Sequence, residues 1–405
     1  MPGESPQSMM RRPNPRRRGA GSEPGYRRGP WRALASAAAI LVVLAVAWVC
    51  LWYYGATTAD RTLAGWVDRE KAAGRTYSCG TQTIGGFPFR VEVRCAEATA
   101  EISSNQPPFA VTAKDVLVAA QVYRPTRLTA DISGPLTLSE QGNPVSLIAN
   151  WARARLSVHG LPPDPDYASV MLDRPRLDRV GAADGASGGV TLFQAKYGDL
   201  LGRLVAGSPN NNPVIEAVLK VNAATAPTMH ALTAKPIDGE VDAVLRGFKD
   251  LKSRPWADHF REMAAAAGGI EIKHLRLQRP DAIIVGAGTL SVNSNGKLNG
   301  LIRLAVVGIE NIIPLLGVDH LIGQGIDRLT GTGAAAEGYG ALDRLVPGLG
   351  GAVRDTANAS LIDNIKKMGQ PTEIDKKPAI VLPLRFSDGV MTLGLLPLGE
   401  VAPLF

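Results

Sequence analysis

Residues 380–396 read IVLPLRFSDGVMTLGLL and place one Asp-Gly pair between two apolar runs. Asp388 and Gly389 suit a two-residue type I′ turn, because both positions of that turn need a positive φ angle. A hairpin folded at this pair makes three apolar cross-strand pairs: Phe386 with Met391, Leu384 with Leu393, and Leu382 with Leu395. Because all six side chains then share one face, the segment predicts a hairpin that closes the edge of a larger sheet.

A second hairpin is predicted upstream, in residues 286–308, which read GAGTLSVNSNGKLNGLIRLAVVG. Asn295 and Gly296 are the pair most typical of a type I′ turn, and apolar runs flank them on both sides. The sequence therefore predicts another two-residue turn at this position.

A third hairpin is predicted near residue 87. The segment FPFRVEVRC ends at Cys95 and alternates apolar and charged residues, while Gly86 and Pro88 provide the turn. Folding about residue 87 places residue 79 opposite residue 95, so Cys79 and Cys95 lie close enough for a disulfide. The alternatives are two reduced thiols or a redox-active pair, although the C-x-x-C spacing of the latter is absent.

Similar alternation recurs along the chain, and it indicates half-buried antiparallel strands. Helical patterns interrupt it at residues 193–205, 256–267, 309–330 and 356–368, and the Gly/Ala-rich stretch 331–340 predicts a loose segment. The predicted fold class is α+β, mostly antiparallel β meander and hairpins with a few packing helices, preceded by one transmembrane helix.

That transmembrane helix is predicted at residues 33–54, which contain no charged residue and would extend about 33 Å. Eight arginines precede the segment, so the positive-inside rule places the N-terminus in the cytoplasm and residues 55–405 in the periplasm of a bacterial inner membrane. A cleaved signal peptide is the alternative, since Ala45-Val46-Ala47 resembles a cleavage site. Aromatic and basic residues are expected at the two membrane interfaces: Arg28, Trp31 and Arg32 at one, and Trp52, Tyr53 and Tyr54 at the other.

These segments divide the chain into four parts: a disordered basic tail (1–32), the span (33–54), a juxtamembrane helix (55–75) and a β-rich periplasmic domain (76–405). The tail carries a net charge of +6, whereas the remaining 373 residues carry +1. A basic nucleic-acid-binding domain is therefore largely excluded.

No catalytic or cofactor motif is visible in the sequence. The five histidines have no zinc-ligand spacing, and neither a P-loop nor a Gly-x-Ser-x-Gly motif is present. Gly286-Ala287-Gly288 lacks the third glycine of a dinucleotide fingerprint. The prediction is a non-enzymatic protein without a cofactor.

Several segments together resemble the DUF2125 family. They are SCG and GGFPFRVEVRC within residues 78–95, the Trp256 helix ending at Gly268-Gly269, GIEIKHLRL (269–277), GAGTLSVNSNGKLNG (286–300) and PLRFSDGVMTLGLLPLG (383–399). The resemblance implies an uncharacterised membrane-anchored envelope protein of α-proteobacteria, and no activity is carried over. More distantly, strand–turn–strand units behind one membrane helix resemble AsmA-type and YdgA-like envelope proteins, which are associated with outer-membrane assembly and lipid handling.

Three functions follow as hypotheses. The first is a periplasmic protein that organises the envelope or handles lipid, in which a sheet lined by Leu, Val and Ala holds acyl chains. The second is an accessory subunit that binds an envelope protein partner. The third is a periplasmic hydrolase, which requires a cleft holding a Ser or Asp with a strongly shifted pKa.

Overall fold

The computed structural model of the protein describes most of the chain after residue 29. The described ranges are 30–103, 107–140, 143–160, 165–180, 189–252, 254–316, 359–360, 362–394 and 396–405. The chain divides into two compact units, Met1–Leu51 and Trp52–Phe405. The predicted loose segment 331–340 lies outside the described residues.

Helix α1 (Pro30–Ala72) is the first element. Within the described ranges, one helix is long and apolar enough to cross a membrane, and it is this one. The predicted span (33–54) and juxtamembrane helix (55–75) therefore form one helix. The helix ends at Ala72, because Gly74 adopts a φ of 77° and strand β1 begins at Arg75.

Most of the remaining described chain forms one antiparallel sheet, as the sequence predicts. The first strands are β1 Arg75–Ser78, β2 Thr81–Gly85, β3 Arg90–Ile102, β4 Phe109–Gln121, β5 Arg124–Glu140, β6 Val145–Asn150, β7 Arg153–His159, β8 Tyr167–Asp173, β9 Arg176–Arg179 and β10 Val190–Gln194. The remaining strands are β11 Tyr197–Ser208, β12 Asn211–Ala224, β13 Ile237–Arg246, β14 Gly269–Arg279, β15 Ala282–Val292, β16 Leu298–Val307, β17 Gln370–Ile374, β18 Lys377–Ser387, β19 Val390–Leu393 and β20 Leu396–Glu400.

The strands follow the chain order closely. Strands β1 and β2 both pair with β3, and the sheet continues through β4 to the long strand β5. Beyond β5 the sheet continues as two series of strands side by side. In one series β6 pairs with β5, β9 with β6, and β10 with β9. In the other, β7 pairs with β5, β8 with β7, and β11 with β8. From β11 to β16 each strand pairs with its successor, and β18 joins β16. The sheet is therefore one continuous surface from β1 to β20.

The main core lies at the far end of this sheet. Leu304 of β16 and Leu382 of β18 pack there with Ile313, Ile365 and other buried residues. Two short 3-10 turns, Ile309–Asn311 and Ile313–Leu316, and the helical residues 362–368 contribute to that core. A smaller core cluster contains Phe248, Met263 and Val292. Met263 comes from helix α2 (Trp256–Ala265), which the sequence predicts at 256–267.

The terminal hairpin forms at the predicted turn. Asp388 and Gly389 have φ angles of 48° and 80°, and Phe386 and Leu384 pair with Met391 and Leu393 as expected. The third predicted pair includes Leu395, which lies outside the described residues. Beside it, Gly394 has a φ of 62°, and Leu396 pairs with Leu393. The hairpin is part of the sheet, with β18 bonded to β16 on one side and to β17 and β19 on the other.

The turn at Asn295 and Gly296 is a longer loop than predicted. Only Gly296 has a positive φ, and the loop spans residues 293–297. The Asn293 side-chain oxygen accepts hydrogen bonds from the amides of Asn295 and Lys297 at 3.0 and 2.9 Å. This side chain satisfies amides that a tight type I′ turn would leave to solvent. The hairpin is confirmed, but the turn type is wrong.

The predicted helix at 193–205 is also wrong, since β10 and β11 occupy this segment. Helix 309–330 is contradicted where it is described, because residues 309–316 form short 3-10 turns; residues 317–330 lie outside the described chain. Of the helix predicted at 356–368, residues 362–368 are helical and residues 356–358 are not described.

Candidate functional site

One face of the sheet is apolar from one end to the other. Residues directly opposite one another in neighbouring antiparallel strands point to the same side of a sheet. Following these partners from β2 to β18 gives a central row in which every side chain is apolar or absent: Ile84, Val93, Val118, Ala130, Leu156, Val170, Leu200, Leu219, Val241, Leu275, Gly286, Leu304 and Leu382.

The rows on either side have the same character. One row contains Val91, Ala120, Leu128, Val158, Ala168, Gly202, Ala217, Ala243, Ile272, Gly288, Ile302 and Leu384. The other contains Cys95, Val116, Ile132, Ala154, Leu172, Gly198, Val221, Gly239, Leu277, Ile284, Val306 and Ile380. We call these three rows the apolar face.

The opposite face carries paired charges. Lys220 donates to Glu240 at 2.8 Å between β12 and β13, and Arg155 donates to Asp131 at 2.8 Å between β7 and β5. Hydrogen bonds from Lys273 and Arg203 hold the pKa of Glu216 below its usual value. Ion pairs of this kind remain hydrated, so this is the solvent side of the sheet.

The apolar face is covered unevenly. Leu304 and Leu382 are buried in the main core, whereas Leu200 and Leu219 in the middle of the central row are 45% and 41% exposed. Large apolar side chains in adjacent strands normally pack under another layer of structure. The middle of the apolar face is therefore accessible.

A cavity of about 770 Å³ lies over the first strands of the same face. Residues 60–68 of α1 form one wall, and β1 to β5 form the other. Its apolar lining includes Leu63, Trp66 and Val67 from the helix and Val93, Cys95, Val111, Val116, Val118, Ile132 and Leu136 from the sheet. This volume falls within the range typical of small-molecule sites, and the lining suits an apolar ligand.

Polar groups lie in the wall of the cavity. Gln82 donates to Asp60 at 3.3 Å, and Asp68 also contributes to the lining. The Tyr77 ring packs on Trp66 with centroids 4.7 Å apart, and burial raises the pKa of the Tyr77 hydroxyl. A ligand with an apolar body and a polar end matches this distribution.

The disulfide between Cys79 and Cys95 is confirmed, and both cysteines line the cavity. The register that predicted it is wrong, because Cys95 lies opposite Gln82 rather than Cys79. Cys79 lies in the break between β1 and β2, with a Cα–Cα distance of 5.4 Å to Cys95. The disulfide thus joins that break to β3.

The turn before β3 contains both predicted turn residues. Gly86 has a φ of 95°, and a Cβ atom there would lie 2.7 Å from the Arg90 carbonyl oxygen. Pro88 follows Phe87 through a cis peptide bond. Gly86 is therefore required by the close approach of the backbone.

The predicted membrane-interface residues fall into two groups. Trp31, Tyr53 and Tyr54 are strongly exposed on α1, and Trp52 contacts the β2–β3 turn. Arg28 and the side chain of Arg32 lie outside the described residues. Their place at a membrane surface stays a prediction.

In the described ranges no group of three or more His, Cys, Asp or Glu side chains is placed to hold a metal ion. The most buried carboxylate there is Asp250. The Lys252 amide donates to it at 3.1 Å and Arg254 at 2.8 Å, and the backbone hydrogen bond lowers its pKa. This arrangement ties a loop to α2, since Arg254 also donates to Glu262 at 2.8 Å.

Sequence reasoning missed the cavity and the continuity of the apolar face. A signal for the cavity was present, because Leu63, Trp66 and Val67 form an apolar stripe that had no assigned partner.

Residues 52–402 match the model of a family described as an uncharacterised protein conserved in bacteria, DUF2125. No curated protein matches the chain.

Proposed function

The chain belongs to the DUF2125 family, and from the site of this member we propose a lipid-handling protein of the bacterial envelope, in which the apolar face holds acyl chains. The proposal covers a non-enzymatic protein anchored in the inner membrane by α1. It rests above all on the partly exposed leucines in the middle of three uninterrupted apolar rows.

Acyl chains fit the chemistry of this face. Each buried methylene group contributes about 0.8 kcal/mol, so a chain lying across several strands gains considerable free energy without a specific polar contact. Leu200 and Leu219 lose exposed area on binding, and the ion pairs on the opposite face are unaffected. The cavity under α1 gives an acyl chain a more enclosed site beside Asp60 and Gln82.

The location follows from the charge distribution. Eight arginines precede the apolar segment 33–54, and the positive-inside rule favours a cytoplasmic N-terminus with residues 55–405 in the periplasm. The disulfide supports this location, because the periplasm is oxidising and the cytosol is not.

Reporter fusions test this topology. Alkaline phosphatase folds only after export, so we expect a fusion after Phe405 to be active and a fusion at Gly29 to be inactive. Activity measured in whole cells gives the answer, and equal synthesis of both fusions is the control. The reverse pattern would place the sheet in the cytoplasm and would contradict the proposed location in the envelope.

Photocrosslinking from the apolar face tests lipid binding. A photoreactive phenylalanine derivative replacing Leu219 should crosslink to lipid in living cells, because that side chain is on the central row. The matched control replaces Lys220, the next residue, whose side chain lies on the charged face. Mass spectrometry of the purified protein should show acyl-containing adducts at 219 and not at 220.

The same experiment separates the remaining alternatives. A protein adduct at 219 in place of lipid would indicate the accessory subunit of an envelope complex. Absence of any adduct at 219, with normal yield of folded protein, would mean that the apolar face is covered by the chain itself, and would overturn the proposal.

A further inference from the structure

Three aromatic side chains project from two neighbouring turns at one end of the sheet. Phe87 and Phe89 lie in the β2–β3 turn and are 54% and 64% exposed, and Tyr123 in the β4–β5 turn is 61% exposed. The Val122 amide donates to the Phe89 carbonyl at 3.0 Å and holds the two turns together. We call these three side chains the aromatic tip.

The aromatic tip is fixed against α1 at Trp52. The Trp52 indole N–H donates to the Arg90 carbonyl at 2.7 Å, and its ring meets the Phe87 ring edge-on at 5.4 Å. Trp52 stands at the end of the apolar segment 33–54, next to two further exposed aromatic residues, Tyr53 and Tyr54. The aromatic tip therefore contacts Trp52, which is among the last residues of the apolar segment.

Exposed basic residues lie close in sequence to the aromatic tip. Arg124 and Arg127 follow Tyr123 and are exposed, and Arg90 is exposed while paired with Glu92 at 2.6 Å. Rings that enter a headgroup layer beside arginines at phosphate level are typical of membrane-surface sites. An anionic leaflet attracts exposed arginines near its surface.

We propose that the aromatic tip inserts into the headgroup layer of the membrane in which α1 is anchored, and that lipids pass from there onto the apolar face. This inference rests on the proposed function. Its geometric support is the row containing Val91, Ala120 and Leu128, which begins directly behind the aromatic tip on β3, β4 and β5.

The occupant is a phospholipid surface. A lipid layer accommodates exposed rings on two turns, the neighbouring Tyr53 and Tyr54, and the arginines around them. A protein partner at the same place is an alternative outcome of the test.

Depth-dependent fluorescence quenching measures the insertion directly. The full chain is reconstituted into vesicles of phosphatidylethanolamine and phosphatidylglycerol that carry spin-labelled lipids. An environment-sensitive dye is attached to Cys50 in the wild type, to Tyr123→Cys in a Cys50→Ser background, or to Val390→Cys in the same background. Val390 is a partly exposed residue of the terminal hairpin and is the control.

We expect quenching of the dye at positions 50 and 123 and none at position 390. Quenching at 50 without quenching at 123 would overturn insertion of the aromatic tip while leaving the anchor in place. Absence of quenching at position 50 would overturn both the membrane anchor and the insertion of the aromatic tip. Quenching at 390 equal to that at 123 would also overturn the proposal, because it would indicate non-specific adsorption.

A transfer assay links the aromatic tip to lipid handling. The double variant Phe89→Ser/Tyr123→Ser should take up fluorescent phospholipid from these vesicles about tenfold more slowly than the wild type or Val390→Ser. The reason is that it lacks the apolar area of two rings that would enter the headgroup layer. All three proteins should bind dissolved fluorescent fatty acid equally, which shows that the double variant is folded. Equal uptake rates in all three would overturn the role of the aromatic tip. No binding of either probe by any of them would instead count against the proposed function.

Discussion

Leu382→Asp is expected to unfold the unit Trp52–Phe405 or to lower its free energy of unfolding by about 4 kcal/mol or more. Leu382 is 1% exposed, pairs with Leu304 and lies within the main core. The substitution removes the packing of a leucine and buries a carboxylate without a partner, and both effects are costly. Because domains are stable by only about 5–15 kcal/mol, this change consumes much of the total.

Urea unfolding of the full chain in detergent, followed by circular dichroism, gives the measurement. Leu382→Ala is a milder variant that should fold with a loss of about 3 kcal/mol, so a value is obtained even if the aspartate variant is degraded. Arg385→Asp is the matched control on the exposed side of the same strand and should change stability by less than about 0.5 kcal/mol. Similar mild effects at 382 and 385 would show that the register of β18 is wrong.

Cys79→Ser is expected to lower the free energy of unfolding by about 3 kcal/mol, because the disulfide closes a loop between residues 16 positions apart. Cys95→Ser should have the same effect, and the double variant should lose little more than either single variant. Cys50→Ser, the same chemical change at an exposed free cysteine, is the control and should leave stability unchanged.

Thiol counting gives an independent readout of the same bond. Unfolded but unreduced protein should react with a thiol reagent at one position, Cys50. Reaction at three positions would show that the disulfide does not form in the cell. Equal stability of Cys79→Ser and Cys50→Ser would show that it forms but does not contribute to folding.

The sequence predicts the parts of this fold that depend on neighbouring residues. At Asp388-Gly389 the turn chemistry and the apolar alternation agree, and the first two cross-strand pairs follow directly. The third pair includes Leu395, which lies outside the described residues, and the apolar alternation does not signal the positive φ at Gly394 beside it. Hydrogen bonds to the Asn293 side chain stabilise a longer loop in place of the tight turn, and the Asn-Gly dipeptide alone does not reveal this.

The failed helix at 193–205 has a different cause. On β11 the apolar face is occupied by Gly198, Leu200 and Gly202, whereas Leu201 points to the opposite side. With glycine at two inward positions, the alternation expected of a strand disappears and the leucines acquire a helix-like spacing. Tertiary pairing with β8 and β12 decides the outcome.

The candidate site is harder to predict than the fold. Its central row joins residues such as Val170 and Leu200, which are neighbours only because β8 pairs with β11. A one-residue slip in any pairing would move half of the row to the charged face. The apolar segment 33–54 and the cysteine pair are readable from local sequence, but the row and the cavity need the complete register.

The near-sequential strand order has a consequence for how the chain acquires its structure. Most strands pair with the strand just before or after them, so the average contact spans a short stretch of chain and the entropy lost in each closure is small. Each new hairpin can add to the edge left by the last one before the rest of the chain has folded. Two interruptions stand out among the described strands. In residues 124–208, β11 must wait for β8, and β16 must wait for β18, since Val306 pairs with Ile380 and Gly300 with Phe386. We therefore expect folding to advance from the N-terminus in steps, with a pause at each of these two points.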